Sequence, residues 1–163
     1  MFKQFKALVE KEAKAPICRF WCDNSTREYN NQLFKDFLST DSIALEPSAL
    51  YTQNQNGVSK RAIRTIVETA RSMLLKAKLT DGFWEEAVQT AIYLKNRNPT
   101  KAVETTPFQA WSGQRPRLEH LRPFGCDVHV FVHPELRTKL NPKAKACTFL
   151  RYVDNTTTVQ YRV

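Results

Sequence analysis

Apolar residues recur at helical spacing most strongly across residues 54–79. Val58, Ile63, Ile66, Val67, Ala70, Met73, Leu74 and Ala77 draw one stripe along this stretch, the pattern of a long helix with a buried back. Asn54 or Asn56 can cap its start, and Gly57 permits a sharp entry. Lys60, Arg61, Arg64 and Arg71 crowd the opposite side of its first turns. The predicted helix therefore has a cationic front.

The remaining elements follow from the same kind of pattern. Residues 2–14 read as a short amphipathic helix with Phe2, Phe5, Leu8 and Val9 on one side, ended by Pro16. Residues 17–22 form an aromatic-rich strand, and Asp23 stands at its C-terminal end, where α/β sheets commonly present reactive groups. Residues 24–30 read as a polar loop. Leu33, Phe34, Phe37 and Leu38 predict a second helix, and residues 43–45 a second strand. After the long helix, Thr80, Asp81 and Gly82 separate it from another over about residues 83–96, with Asp81 as its cap. The core side of that helix is Phe83, Trp84, Ala87, Val88, Ala91, Ile92 and Leu94. Thr106, Pro107 and Gln109 fit a capping box with proline at the first helical position, and Gly113 stops that short helix.

From Leu121 the pattern changes to strands over residues 127–132, 146–150 and 157–163. Between the first two lies a basic loop with Arg137, Lys139, Lys143 and Lys145. Trp21, Trp84 and Trp111 each sit in apolar segments and read as packing residues. The pattern as a whole is α/β and helix-rich, with a helical part over residues 1–118 and a small β-rich unit over residues 119–163.

The formal net charge is +9, and its distribution sharpens the picture. Residues 1–56 carry seven Lys/Arg against seven Asp/Glu, whereas residues 57–163 carry eighteen against nine. A basic half beside a neutral half points to a polyanionic partner, most simply nucleic acid. No apolar run approaches membrane-spanning length and the first ten residues are no signal peptide. The expected location is intracellular, in nucleus or cytoplasm. Cys18, Cys22, Cys126 and Cys147 all stand in apolar contexts and read as buried free thiols. Cys126, His129 and His133 have ligand-like spacing, but no tight cysteine pair accompanies them, so no metal site is expected.

Several ordered blocks resemble the integrase of copia-type long-terminal-repeat retrotransposons. F-W-C-D-N-S-T-R-E-Y stands where that family has a strand ending in Asp-Asn, and Y-T-Q-N-Q-N-G-V-S-K-R resembles its segment at the start of the long helix. D-G-F-W-E-E-A, T-P-F-Q-A-W-S-G, H-L-R-P-F-G-C and L-N-P-K-A-K-A-C-T-F-L follow in the family's order, so the match covers nearly the whole chain.

The resemblance implies an RNase H-like catalytic core, in which two aspartates and a glutamate hold two Mg²⁺ ions for attack on a DNA phosphodiester. It matches Asp23 to the second aspartate. It places the first aspartate, and the first three strands of a five-stranded sheet, upstream of residue 1, so a truncated core is expected. It puts Lys60 where the glutamate belongs. Between Asp23 and Lys60 lie 36 residues, one more than the family's usual spacing, with S-T-R in place of Gly-Gly supplying the extra one. An ammonium in a ligand set repels Mg²⁺, so the expectation is a degenerate integrase without a bound metal or catalysis.

The function expected is thus a catalytically inactive integrase remnant with non-specific DNA binding. Lys60, Arg61, Arg64 and Arg71 would contact phosphates from the long helix, and Arg137, Lys139, Lys143 and Lys145 would add a second patch. The alternatives are a protein-interaction or interfering fragment, with a second copy or an integrase-type partner completing the sheet, and a decayed element with no selected role.

Overall fold

The computed structural model describes residues 1–22, 31–47, 57–101, 103–153 and 159–162. It is a mixed helix-and-strand structure that divides into two compact units, Met1–Ala62 and Ile63–Val163. The change from helix-rich to strand-rich sequence near residue 118 falls inside the second unit.

In the first unit, helix α1 (Phe2–Ala13) leads to strand β1 (Arg19–Cys22), helix α2 (Gln32–Thr40) and strand β2 (Ala44–Pro47). The strands pair in parallel, with Arg19 opposite Ala44 and Cys22 opposite Pro47, and α2 lies on the crossover that a parallel pair requires. Leu38 and Ile43 are buried. Phe2 makes edge-on ring contacts with Phe20 at 5.1 Å, Phe34 at 5.3 Å and Phe37 at 6.0 Å. Edge-to-face geometry suits rings whose faces are negative and rims positive. Asn31 caps α2 by accepting from Phe34 N at 2.7 Å. Lys6 joins Glu10 at 2.8 Å and Asp41 at 3.4 Å, and Glu10 accepts from Ile17 N at 2.9 Å, tying the end of α1 to the turn that follows.

Two expectations need correction here. Phe5 and Leu8 are more than half exposed, so the buried side of α1 is narrower than its pattern. Trp21 is 69% exposed, because alternation along β1 turns Phe20 toward the aromatic cluster and Trp21 away from it.

Helix α3 (Gly57–Ala77) runs from the first unit into the second. The expected caps Asn54 and Asn56 lie outside the described residues. Its Ala70 and Leu74 meet Ala87 and Ala91 of helix α4 (Trp84–Arg97), with Ile66, Met73, Leu79, Phe83, Val88 and Phe124 around them. Three of these four contact residues are alanines, so the contact is made by small side chains. The apolar stripe of α3 is only partly covered, however: Val58 is 71%, Ile63 62% and Val67 41% exposed. Helix α4 covers the stripe around Ala70 and Leu74. Asp81 does not cap α4; it opens a 3₁₀ turn, Asp81–Phe83, that feeds the helix.

The second side of α4 faces a sheet. Strands β3 (Asp127–Phe131), β4 (Ala144–Tyr152) and β5 (Val159–Arg162) pair antiparallel in that order, with an irregularity between Phe149 and Arg151. Thr90, 1% exposed, donates to the Leu150 carbonyl at 3.0 Å, and Gln89 accepts from Arg151. Tyr93 stacks on Tyr152 at 4.4 Å beside the fully buried Phe149. Helix α5 (Pro107–Ser112) begins as its capping pattern predicts, Thr106 accepting from Gln109 N at 3.1 Å, and stops at Gly113 with φ 72°. Arg97 joins the two helices: its guanidinium lies 3.3 Å from the centre of the Tyr93 ring and 4.6 Å from that of Phe108.

Candidate nucleic-acid interface

Lys60, Arg61, Arg64 and Arg71 are all exposed on α3. At about 100° per residue, Lys60, Arg64 and Arg71 fall within roughly 40° of one another around the helix, with Arg61 farther round the same side. Helix periodicity alone brings these three exposed cations into line. The four groups are not equivalent. Arg64 Nε donates to Glu68 Oε1 at 2.8 Å, an exposed i,i+4 pair, and that hydrogen bond holds its guanidinium pKa above the ordinary value. The Arg61 guanidinium folds back over Gly57, where an added Cβ would lie 3.5 Å from it. Lys60 and Arg71 enter no ion pair among the described residues. They carry the stripe's unneutralised charge.

Lys60 sits in the first turn of α3, which has no acidic residue. A cation there opposes the positive end of the helix dipole. The local fold thus tolerates a small electrostatic cost at that position. Asp23, with the polar segment after it, lies outside the described residues.

The second basic group occupies the connection between β3 and β4. Phe131 pairs with Ala144 and Val132 N donates to the Lys143 carbonyl at 3.0 Å, so the ladder closes at the loop's base. A 3₁₀ turn, Pro134–Leu136, follows. Arg137 is half-buried: its Nε donates to the Val132 carbonyl at 3.2 Å, its guanidinium is 5.9 Å from the Phe131 ring centre, and its backbone N donates to the Pro134 carbonyl at 3.3 Å. It braces the loop from within, unlike Lys139, Lys143 and Lys145, which are exposed. Asn141 N donates to the Thr138 carbonyl at 3.2 Å, so Lys139 and Leu140 are the two central residues of a turn.

Other residues that the pattern singled out are placed differently. Trp84 is 40% and Trp111 53% exposed, so all three tryptophans are less covered than expected. Of the cysteines only Cys147 is buried; Cys22 and Cys126 are half-buried and Cys18 is exposed. His129 and His133 are exposed. The sequence pattern missed the Tyr93 hydroxyl against His120 Nε2 at 2.7 Å, and Tyr152, which donates to the Arg122 carbonyl at 2.7 Å and accepts from Arg122 N at 2.8 Å. Burial raises the Tyr152 pKa, with the Arg122 backbone bond opposing that shift. These contacts span 27 and 30 residues, and no local periodicity could announce them.

No protein-family profile matches the chain. It is 41% identical over 155 residues, 94% of its length, to the retrovirus-related Pol polyprotein from transposon TNT 1-94 of Nicotiana tabacum. It is 36% identical over 149 residues, 91% of its length, to the retrovirus-related Pol polyprotein from transposon RE2 of Arabidopsis thaliana. The chain spans only 12% and 10% of these two relatives. Its fold resembles a chain in the cryo-EM structure of the simian T-cell lymphotropic virus intasome in complex with PP2A regulatory subunit B56 gamma. The TM-score is 0.51 at 15% identity, covering 96% of this chain and 58% of that one. The sequence likeness extends along almost the whole chain, and the fold likeness agrees with it. The chain belongs, as one segment, to the family of copia-type retrotransposon Pol polyproteins.

Proposed function

We propose that this segment is an integrase-derived module that binds duplex DNA without sequence preference and does not catalyse strand transfer. The observation that carries the binding is the stripe of Lys60, Arg64 and Arg71 on α3, exposed and in helical register. Phosphates spaced along a duplex are met by cations repeated along a rod, and each neutralised phosphate releases counterions. Arg61, Lys139, Lys143 and Lys145 extend the contact surface, and Arg137 holds the second loop in shape. The parallel pair β1–β2, linked through α2 and followed by α3 and α4, supports reading residues 1–118 as part of an RNase H-like core. Residues 119–163 are its β-rich continuation.

The absence of catalysis rests on Lys60. The resemblance puts a metal-binding glutamate there, and this chain presents an exposed ammonium in the first turn of α3 instead. An ammonium has no lone pair for Mg²⁺ and repels it at short range. The residues therefore do not fit a two-metal site of this kind.

Fluorescence anisotropy on duplex DNA across a salt series tests the proposal. Wild-type affinity should fall steeply with salt, and the combined Lys60→Glu and Arg71→Glu change should flatten the slope by about 0.9 per lost contact. An unchanged slope in that variant would remove α3 from the interface. Strand-transfer products from the unaltered chain in Mg²⁺ would overturn the non-catalytic part.

A second reading, association with a protein partner, is favoured by one observation in the first unit. Phe5, Leu8, Trp21 and Leu33 are 56%, 57%, 69% and 84% exposed. Sedimentation analysis of the wild type beside Trp21→Asp and Leu33→Asp would detect self-association through these side chains. A monomer at all concentrations, in both cases, argues against a second copy as that partner.

A further inference from the structure

Leu140 is 97% exposed, at the centre of a turn, with Lys139 beside it and Lys143 and Lys145 on the strand side of the same hairpin. Leu136, on the 3₁₀ turn, is 79% exposed. A singly exposed leucine is ordinary on a protein surface; what marks Leu140 is its place at the tip of a braced, lysine-flanked loop. Arg137 braces the interior through the Val132 carbonyl, and the Thr138–Asn141 bond fixes the turn that projects Lys139 and Leu140.

We propose that Leu140 is a wedge that enters between neighbouring base pairs of duplex DNA, while Lys139, Lys143 and Lys145 hold the flanking phosphates. The hairpin then distorts the DNA that it binds. This rests on the reading that the segment binds DNA and adds the mode of binding. Apolar wedges inserted at a base step partly unstack it and kink the duplex, and nearby cations compensate the phosphates drawn together by the bend.

The observations favour DNA over other anionic surfaces. A lipid bilayer requires a broad apolar face, and even a myristoyl chain binds one only marginally; this loop offers two exposed leucines, Leu136 and Leu140. An acidic peptide would match the lysines, but exposed leucines at a loop tip offer it no groove. One side chain between cations fits the gap between two stacked bases.

The test uses the full 163-residue chain and a short duplex labelled at its two ends with a donor and an acceptor dye, either intact or with one central mismatch. The wild type should raise energy transfer in both duplexes and bind the mismatched one about tenfold more tightly, because unstacking costs least there. Leu140→Ala should lose the rise in energy transfer and the mismatch preference, with its salt dependence unchanged. Lys139→Gln with Lys143→Gln should weaken binding to both duplexes alike and reduce the salt slope by about 1 per lysine. Leu140 touches solvent, so its variant should keep the wild-type melting profile by circular dichroism. Bending by Leu140→Ala equal to wild type overturns the wedge and leaves DNA binding standing. No binding to either duplex overturns both, and capture by phosphatidylserine vesicles lost in Leu140→Ala would reassign the loop to a lipid surface.

Discussion

Gly125 and Ala77 are packed so closely that a Cβ on Gly125 would lie 2.3 Å from the Cβ of Ala77, with Leu79 Cδ1 at 3.5 Å. Gly125 also has φ 76°, a backbone state that side chains disfavour. Its N–H donates to the Phe149 carbonyl at 2.9 Å, so the end of α3 and the start of the sheet meet at one residue. Gly125→Ala should destabilise the fold by about 2–4 kcal/mol through overpacking and backbone strain. Because the clash is with a named methyl group, Ala77→Gly combined with Gly125→Ala should be less damaging than the two single losses added together. Urea denaturation of the four proteins measures this, and strict additivity would show that the contact is not the cause.

Thr90 bridges α4 to β4 from a position with almost no solvent. Thr90→Val keeps the shape and removes the donor to the Leu150 carbonyl. The loss should be about 1–3 kcal/mol, the cost of leaving a buried acceptor without a partner. A change within experimental error would mean that the carbonyl finds water once the hydroxyl is gone.

Tyr152 gives the fold an alkaline limit. Its pKa is raised above 10.0 in the folded chain, so the folded state binds the hydroxyl proton more tightly than the unfolded state does. The resulting stability is complete below the unfolded pKa and is lost as pH rises through the folded one. Melting temperature should therefore fall above about pH 10, and Tyr152→Phe should be less stable at neutral pH but less sensitive to alkali. Parallel melts at several alkaline pH values decide it; identical slopes for both proteins would contradict the assignment.

Lys60→Glu should act in opposite directions on stability and binding. A carboxylate in the first turn of α3 complements the helix dipole and should stabilise the chain by about 0.3–1 kcal/mol. The same change removes one of the two unneutralised cations of the stripe and should weaken DNA binding at low salt. Measuring melt and affinity on one preparation separates the effects. Loss of both together would indicate that Lys60 has a structural partner.

Much of this architecture was legible in the chain. The order of helices and strands follows from spacing, as α5 illustrates: Thr106, Pro107, Gln109 and Gly113 specify its start and stop through bonds within the helix itself. The stripe of Lys60, Arg64 and Arg71 is equally local, because a straight helix converts sequence interval into angle. What escaped the pattern depends on remote neighbours. Ile63 and Val67 share the periodicity of buried Ala70 and Leu74, but exposure is decided by where α4 packs. Arg137 and Lys139 look alike in a basic run, yet one turns inward to the Val132 carbonyl and the other lies at a turn's centre. The exposure of Leu140 likewise follows from the turn and not from its apolar character.

The position of α4 has a consequence for how the chain acquires its structure. One side of α4 meets α3, which precedes it by a few residues; the other meets β4, with Thr90 bonded 60 residues downstream. The α3–α4 pair can form while the chain is still emerging from the ribosome, whereas Thr90 and the Tyr93 face that stacks on Tyr152 stay uncovered until residues 144–152 arrive. At a synthesis rate of about 5–20 residues per second, that interval lasts several seconds. During it, α4 is a docked helix with an open, partly aromatic flank, the stage at which this segment is most exposed to chaperones and to misassociation with its own copies.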